Sequence, residues 1–391
     1  MAKIGFTVST PDGGGADLGD LLVPRDLFSE GGLWGFGDNS LATLGDSTTA
    51  NKSSPIQTLA GGTNWKQVAC GQSHSTAIKT DGSLWCFGYN GNGQLGDNTI
   101  TNRSSPVQTI ALGTSWRQVS GGQFHTAAIK TDGSLWSWGS GGRGQLGDST
   151  ITSGRSSPIQ TIAAGNNWKQ VACGNSHTAA IKTDGSLWIW GYNNIGQLGD
   201  STLTNRSSPI QTIAGGNNWK QVACGSQHTA AIKNDGSLWS WGINSSGQLG
   251  DSTLTNNRSP VQTISGGNNW KYVFSGCISN HTAAIKNDGS LWSWGDDTSG
   301  QLGDSQIISN SSPVQTIAGG YNWKQVACGN LHTAAIKTDG SLWLWGFAGS
   351  GQLGDSTQVS KSSPVQTLAG GTNWKQVGCA SSSTLAVKDD M

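Results

Sequence analysis

Six histidines recur at almost equal intervals, His74, His125, His177, His228, His281 and His332. A series of imidazoles is a reason to look for metal binding or proton transfer. Two carboxylate series keep the same step: Asp46, Asp97, Asp148, Asp200, Asp251, Asp304 and Asp355 close a Gly-Gln-Leu-Gly-Asp motif or its variants, and Asp81, Asp132, Asp184, Asp235, Asp288 and Asp339 sit in short Asp-Gly turns. Seven cysteines complete the reactive groups. Five of them (Cys70, Cys173, Cys224, Cys328, Cys379) share one recurrent position, Cys277 lies in an insertion and Cys86 is out of register. Acid–base chemistry needs a few groups in unlike environments, so that their pKa values separate. Seven equivalent carboxylates do the opposite, and both Asp series read as turn-forming and loop-capping residues. The histidines read as buried, hydrogen-bonded structural groups, and the cysteines as small buried thiols. No CxxC or Cys/His metal spacing and no GxSxG elbow occurs, and Glu30 is the single glutamate. The expectation is a non-enzymatic protein with no catalytic residue, no metal and no cofactor.

The elements that hold these residues come from a repeat. Trp65, Trp116, Trp168, Trp219, Trp270, Trp323 and Trp374 follow Asn or Ser and precede Lys or Arg, at steps of 51 to 53 residues. A second series runs Trp34, Trp85, Trp136, Trp188, Trp239, Trp292 and Trp343. A third position holds Phe36, Phe87, Trp138, Trp190, Trp241, Trp294 and Trp345, and together the three account for all 19 tryptophans. In the unit that starts at Trp168, residues 168–173 alternate as a strand A, His177–Lys182 as strand B, and Leu187–Trp190 as strand C. Asp184-Gly185 between B and C predicts a hairpin of type I′, with positive φ at both central residues. A polar loop, 192–208, precedes an outer strand D at 209–213, with Pro209 where an edge tolerates it. Four short strands, seven times over, predict an all-β, seven-bladed β-propeller. The chain enters its first unit at strand C and leaves after strand B, so one blade must combine C and D from the N-terminal side with A and B from the C-terminal side. This two-plus-two seam removes free sheet edges. The domain organisation is residues 1–32 as an N-terminal arm and 33–391 as the propeller.

Composition narrows the function classes. The 391 residues carry 23 Lys+Arg against 23 Asp+Glu, and 12% are charged, about half the usual share. No nucleic-acid partner is expected, because neither the total nor any stretch is basic. No apolar run approaches a spanning helix, so no membrane insertion is expected, and the start shows no secretory h-region, so the chain is expected to be made in the cytosol. The 59 glycines and abundant tryptophan belong to a folded, turn-dense chain.

The units 170–174 (QVACG), 177–185 (HTAAIKTDG), 187–191 (LWIWG) and 196–200 (GQLGD) resemble the regulator-of-chromosome-condensation repeat over residues ~33 to 388. The resemblance implies a seven-bladed propeller and functions that range over nucleotide exchange on a small GTPase, chromatin binding, ultraviolet sensing in plants and inhibition of β-lactamase. Sensing members, as the resemblance implies, carry Gly-Trp-Arg-His-Thr where this chain has Gly174-Asn175-Ser176-His177-Thr178, so photoreception is not expected.

Comparison between units shows where side chains vary. One place is the A–B turn: Gln72-Ser73, Gln123-Phe124, Asn175-Ser176, Ser226-Gln227, Asn330-Leu331, and an expansion at 276–280. The other is the loop that follows strand C, with Tyr89, Arg143, Tyr192, Ile243 and Phe347. In an antiparallel meander both lie at one end of the blade, so these residues share one face, a surface suited to a protein or glycan ligand. The termini emerge from the opposite face. In the arm, Ile4, Phe6 and Val8 alternate as a strand and Leu21, Leu22, Leu27 and Phe28 form an apolar segment, an expected anchor to a partner assembly. A short arm before a repeat array also resembles, in organisation, virion-attached proteins of bacteriophages. The leading expectation is a binding and structural propeller anchored in a larger assembly such as a phage virion or tail, with a receptor-binding face and room for a homo-oligomer. The alternative is an intracellular regulatory or inhibitory propeller that binds a soluble enzyme or small GTPase.

Overall fold

The computed structural model describes residues 31–59, 62–110, 113–162, 165–213, 216–264, 267–317 and 320–389; the arm residues Ile4 to Phe28 lie outside them. Twenty-eight strands form seven four-stranded antiparallel sheets. Blade 1 is typical: A Trp65–Cys70, B His74–Lys79, C Leu84–Gly88 and D Arg103–Gln108. Blades 2 to 6 repeat this over 116–160, 168–211, 219–262, 270–315 and 323–366. Blade 7 is the seam, with A Trp374–Cys379 and B Ser383–Lys388 beside C Gly32–Gly37 and D Lys52–Gln57. Six consecutive pairs, from Gly32↔Lys388 to Gly37↔Ser383, close the ring. Gly31 stands in for a hairpin glycine here: its carbonyl accepts from Trp65 N at 3.1 Å, as Gly82 O does from Trp116 N at 3.0 Å.

The core lies between blades. Ala127, Ile129 and Leu135 of blade 2 pack with Trp168, Val171 and Trp190 of blade 3, and all six are buried. Trp168 meets the edges of Trp188 and Trp190 at ring separations of 6.5 and 6.1 Å, while Lys182 Nζ lies 4.8 and 4.6 Å from the Trp168 and Trp188 rings. Burying one such tryptophan stabilises by roughly 2–3 kcal/mol, and this arrangement recurs around the ring. The tryptophans are therefore the residues that hold blade to blade.

Two local expectations are corrected. Only the glycine of the B–C hairpin has positive φ (Gly185, +81°). Gly185 N donates to Lys182 O and Lys182 N to Ser186 O, both at 3.0 Å, which is a type I turn followed by a left-handed glycine. Asp184 keeps negative φ because its carboxylate accepts from Ser186 N and Oγ, at 2.9 and 2.6 Å. Strand D begins three residues earlier than expected, at Arg206, and ends at Gln211. A polar Arg-Ser-Ser run can pair on an outer edge that faces solvent, and the irregular register opposite Ile189 to Gly191 accommodates Pro209, which has no N–H to give.

Candidate functional site

The antiparallel order brings the two variable segments together. The first loop residue after strand C donates its N–H to the last carbonyl of the A–B turn in every blade: Tyr89 to Ser73, Ser140 to Phe124, Tyr192 to Ser176, Ile243 to Gln227, Asp296 to Asn280, Phe347 to Leu331 and Asp38 to Ser382, at 2.7–3.0 Å. The A–B turns also bond blade to blade around the axis: Gln72 N to Gly122 O, Gln123 N to Gly174 O, Asn175 N to Ser226 O, Ser226 N to Ser279 O, Asn330 N to Ser381 O and Ser381 N to Gln72 O. Gln72, Gln123, Asn175, Ser226 and Asn330 are thus an inner ring with engaged backbones and half-buried side chains.

Outside that ring, side chains pair across blades. Tyr89 of blade 1 meets Phe124 of blade 2 edge-on at 6.0 Å, and the guanidinium of Arg143 in blade 2 lies 4.0 Å above the Tyr192 ring of blade 3. Leu331 and Phe347 share blade 6, and Ile243 stands beside Gln227 in blade 4. Arg143 is exposed; Tyr89, Phe124, Tyr192, Ile243, Leu331 and Phe347 are half-buried. The rings are held in place yet still present an edge to solvent. Sequence reading grouped these residues by topology alone; the aromatic and Arg–Tyr pairs escaped it because they join different repeats.

The histidines lie below this surface, fully buried. His74 Nε2 lies 2.9 Å from Thr126 Oγ1 of the next blade, and Thr126 Oγ1 donates to Gln94 O at 2.9 Å. A hydroxyl that gives its proton away must accept from the imidazole, which fixes the neutral tautomer with the proton on Nε2. The relay repeats from His125, His177, His228, His281 and His332, at 2.8–3.1 Å. Burial pushes the pKa of His74, His177 and His332 down to about 4 and that of His125, His228 and His281 down to about 3. At neutral pH they are uncharged struts between blades. Around the axis, each A-strand glutamine pairs with a peptide of the next blade: Gln170 Nε2 donates to Val222 O at 3.0 Å and Gln170 Oε1 accepts from Val222 N at 3.1 Å. Cys70, Cys173, Cys224, Cys277, Cys328 and Cys379 line a narrow axial channel of about 140 Å³ inside this stitching. Burial pushes the thiols of Cys70, Cys173 and Cys328 up to about 12, so they line the channel as neutral groups. Among the described residues no three His, Cys, Asp or Glu side chains are grouped to hold a metal ion, and no helix is long and apolar enough to cross a membrane.

Blade 5 departs from the others. Asp297 occupies the place of Asn90, Asn193 and Asn244, fully buried. Asn193 there donates to Asp200 and accepts from Leu198 N. Asp297 accepts from Leu302 N at 2.8 Å, and burial, reinforced by Asp304 and Asp296, raises its pKa to about 7.

Seven such blades, closed by a two-plus-two seam, are matched by family comparison: residues 27–316 and 111–391 fit the model of the RCC1-like domain. The chain belongs to that family. Among RCC1-like relatives, it is 33% identical to the Ultraviolet-B receptor UVR8 of Arabidopsis thaliana over 337 residues, 85% of this chain and 76% of the receptor. It is 31% identical to the E3 ubiquitin-protein ligase HERC2 of Homo sapiens over 69% of this chain but only 6% of that protein. Prp20p from Saccharomyces cerevisiae superposes with a TM-score of 0.81 at 20% identity, covering 93% of this chain and 92% of that one. The RCC1-like family places the chain among propellers of the binding and regulatory kind.

Proposed function

We infer that this RCC1-like protein is a regulatory propeller that binds a soluble protein, an enzyme or a small GTPase, through the loop face of its blades. One observation carries the reading: strands, hairpins and inter-blade struts are nearly identical in most units, with Ser383 replacing the histidine in blade 7 and Tyr272 the axial glutamine in blade 5, whereas side-chain diversity concentrates on one face. There, Tyr, Phe and Arg are paired, fixed and partly exposed. Such residues dominate binding energy when they enter a partner's pocket, because large rigid rings bury much area at small entropic cost. Among relatives of this fold, Prp20p is described by its binding to Gsp1p and histones. The receptor activity of UVR8 is not carried over, since the turn of blade 3 holds Asn175 and Ser176 where the sensing motif has Trp and Arg. The virion-attached reading rests on the arm at residues 1–32, of which 1–30 lie outside the described residues, and none of the relatives named above adds support to it; the regulatory reading is therefore preferred.

The test uses the purified full chain against a panel of small GTPases in nucleotide-free, GDP and GTP-analogue forms, by biolayer interferometry. At least one member should bind. The Tyr89→Ala/Arg143→Ala variant should then bind at least about tenfold more weakly at unchanged melting temperature. Binding that survives this variant unchanged refutes the loop-face reading, and a panel with no binder refutes a small GTPase as the partner.

A further inference from the structure

The opposite face carries a charge pattern that the neutral total conceals. The residue after the first tryptophan of every blade is basic: Lys66, Arg117, Lys169, Lys220, Lys271, Lys324 and Lys375. Each is the second residue of the innermost strand, next to a tryptophan whose N–H is tied to a hairpin-face glycine carbonyl, so the seven positions stand around the axis at the hairpin end of the strands, beyond the residues that line the channel. At each of these residues the ladder skips: Trp65 pairs with Lys79 and Gln67 with Ile78, leaving Lys66 as the extra residue of a bulge, and every other blade shows the same break. Bulges re-aim side chains at functional rims. Arg117 leans onto the next blade, donating to Trp168 O at 2.8 Å and Lys169 O at 3.1 Å. Lys324 is lowered from the ordinary lysine pKa by burial and by Lys375 beside it. Lys375 Nζ lies 2.8 Å from Asp389, and Lys271 is exposed.

The other charges of this face offset the ring only in part, Asp389 pairing with Lys375. The six hairpin carboxylates accept from the N–H of their own serines, Ser83 through Ser341, and a second set of seven lysines, Lys79 through Lys388, stacks on tryptophan rings in the same hairpins. Among the described residues the face holds fourteen cations and seven carboxylates. Like charges held around one opening focus a positive potential there. Their natural complement is an anion whose charges are also clustered.

We propose that the hairpin-face mouth of the axial channel binds a compact polyphosphorylated small molecule, with the seven bulge cations as its phosphate ligands. The site is independent of the loop face and of the partner bound there. Phosphates arrayed around a small ring match a circle of cations better than a linear chain does, so inositol hexakisphosphate is the primary probe and ATP the second. Isothermal titration of the full chain in 50 mM salt should give one inositol hexakisphosphate per chain, with affinity falling at least about tenfold in 300 mM salt. ATP should bind more weakly at the same place, in competition. Lys271→Gln and Lys324→Gln should each weaken binding about tenfold. Lys324→Gln should also leave the melting temperature of the ligand-free protein unchanged or raised, because it removes a like-charge neighbour of Lys375, and this separates lost binding from lost folding. Lys361→Gln, on the outer strand of blade 6, should bind as the parent does. Absence of binding heat with either probe, several weak equivalents per chain, or equal losses in Lys361→Gln and Lys271→Gln overturns the proposal.

Discussion

Acidification from pH 7.5 to 5.0 should unfold this propeller, and the six histidines set the size of the effect. Each has an ordinary pKa of 6.5, depressed in the fold to about 4 or about 3 by burial. The native ring therefore stays neutral at pH 5 while the unfolded ring takes up a proton. Protons favour the unfolded chain, so stability is full above pH 7.5 and is lost as pH falls through 6.5 toward 4. At pH 5.0 each site costs about 2 kcal/mol and six cost about 12 kcal/mol. Asp297 runs the other way: its native pKa, raised to about 7, makes the fold lose stability as pH rises from 3.8 through 7, so acidification returns about 2–3 kcal/mol. The net loss of about 9 kcal/mol rivals the whole stability of an ordinary domain, about 5–15 kcal/mol. The depressed carboxylates Asp97 and Asp200 retain their stabilising charge until pH falls below about 4 and stay out of this window. Urea unfolding followed by tryptophan fluorescence, at half-unit steps of pH, reads the slope directly. Between pH 6 and 5 it should correspond to a net uptake of about four protons, the histidines taking up about five and Asp297 releasing about one, and His177→Gln should remove about one of them. An unfolding free energy constant within about 2 kcal/mol between pH 7.5 and 5.0 would refute the neutral, buried histidine ring.

Three further outcomes follow from the same structure. Asp297→Asn restores the amide found in blades 1, 3 and 4 and should stabilise the protein by about 3 kcal/mol at pH 7.5, with the gain shrinking toward pH 5, measured as a urea midpoint at both pH values. Gln221→Ala removes both bonds to the Val273 peptide, at 2.9 and 3.0 Å, leaving its N–H and C=O unpaired, and should cost about 2–3 kcal/mol by the same assay. Thiol titration with an aromatic disulfide at pH 8 should find fewer than one reactive cysteine per native chain and all seven after denaturation, because burial holds the thiols protonated.

Much of this architecture is legible in the sequence because its signals are local and repeated. The span 168–173 as strand A, His177–Lys182 as strand B, and the seam between Leu33 and Lys388 all follow from alternation, turn residues and a fixed period. The gathering of Tyr89, Phe124 and their counterparts on one face follows from antiparallel order alone. Contacts that depend on ring curvature do not announce themselves. The pairing of the Gln170 amide with the Val222 peptide, or of Arg143 with Tyr192, joins residues one repeat apart that only blade-to-blade stacking brings together. The hairpin type was misread because the Asp184 side chain bonds Ser186 locally and so removes the need for a second positive φ. The start of strand D was missed because an outer edge tolerates polar residues. Net charge is silent in a related way: a total of zero says nothing about how cations one repeat apart are arranged around an axis.

The loop face, through Tyr89, Phe124, Arg143 and Tyr192, is proposed as the partner-binding surface. Amide hydrogen exchange of the protein in complex with its strongest binder tests it most directly. Added protection is expected at residues 72–73, 89–92, 123–124, 140–143 and 192–195, with the hairpins around Gly82, Gly133 and Gly185 unchanged. Protection confined to those hairpins, with the loop face exchanging as in the free protein, would contradict it.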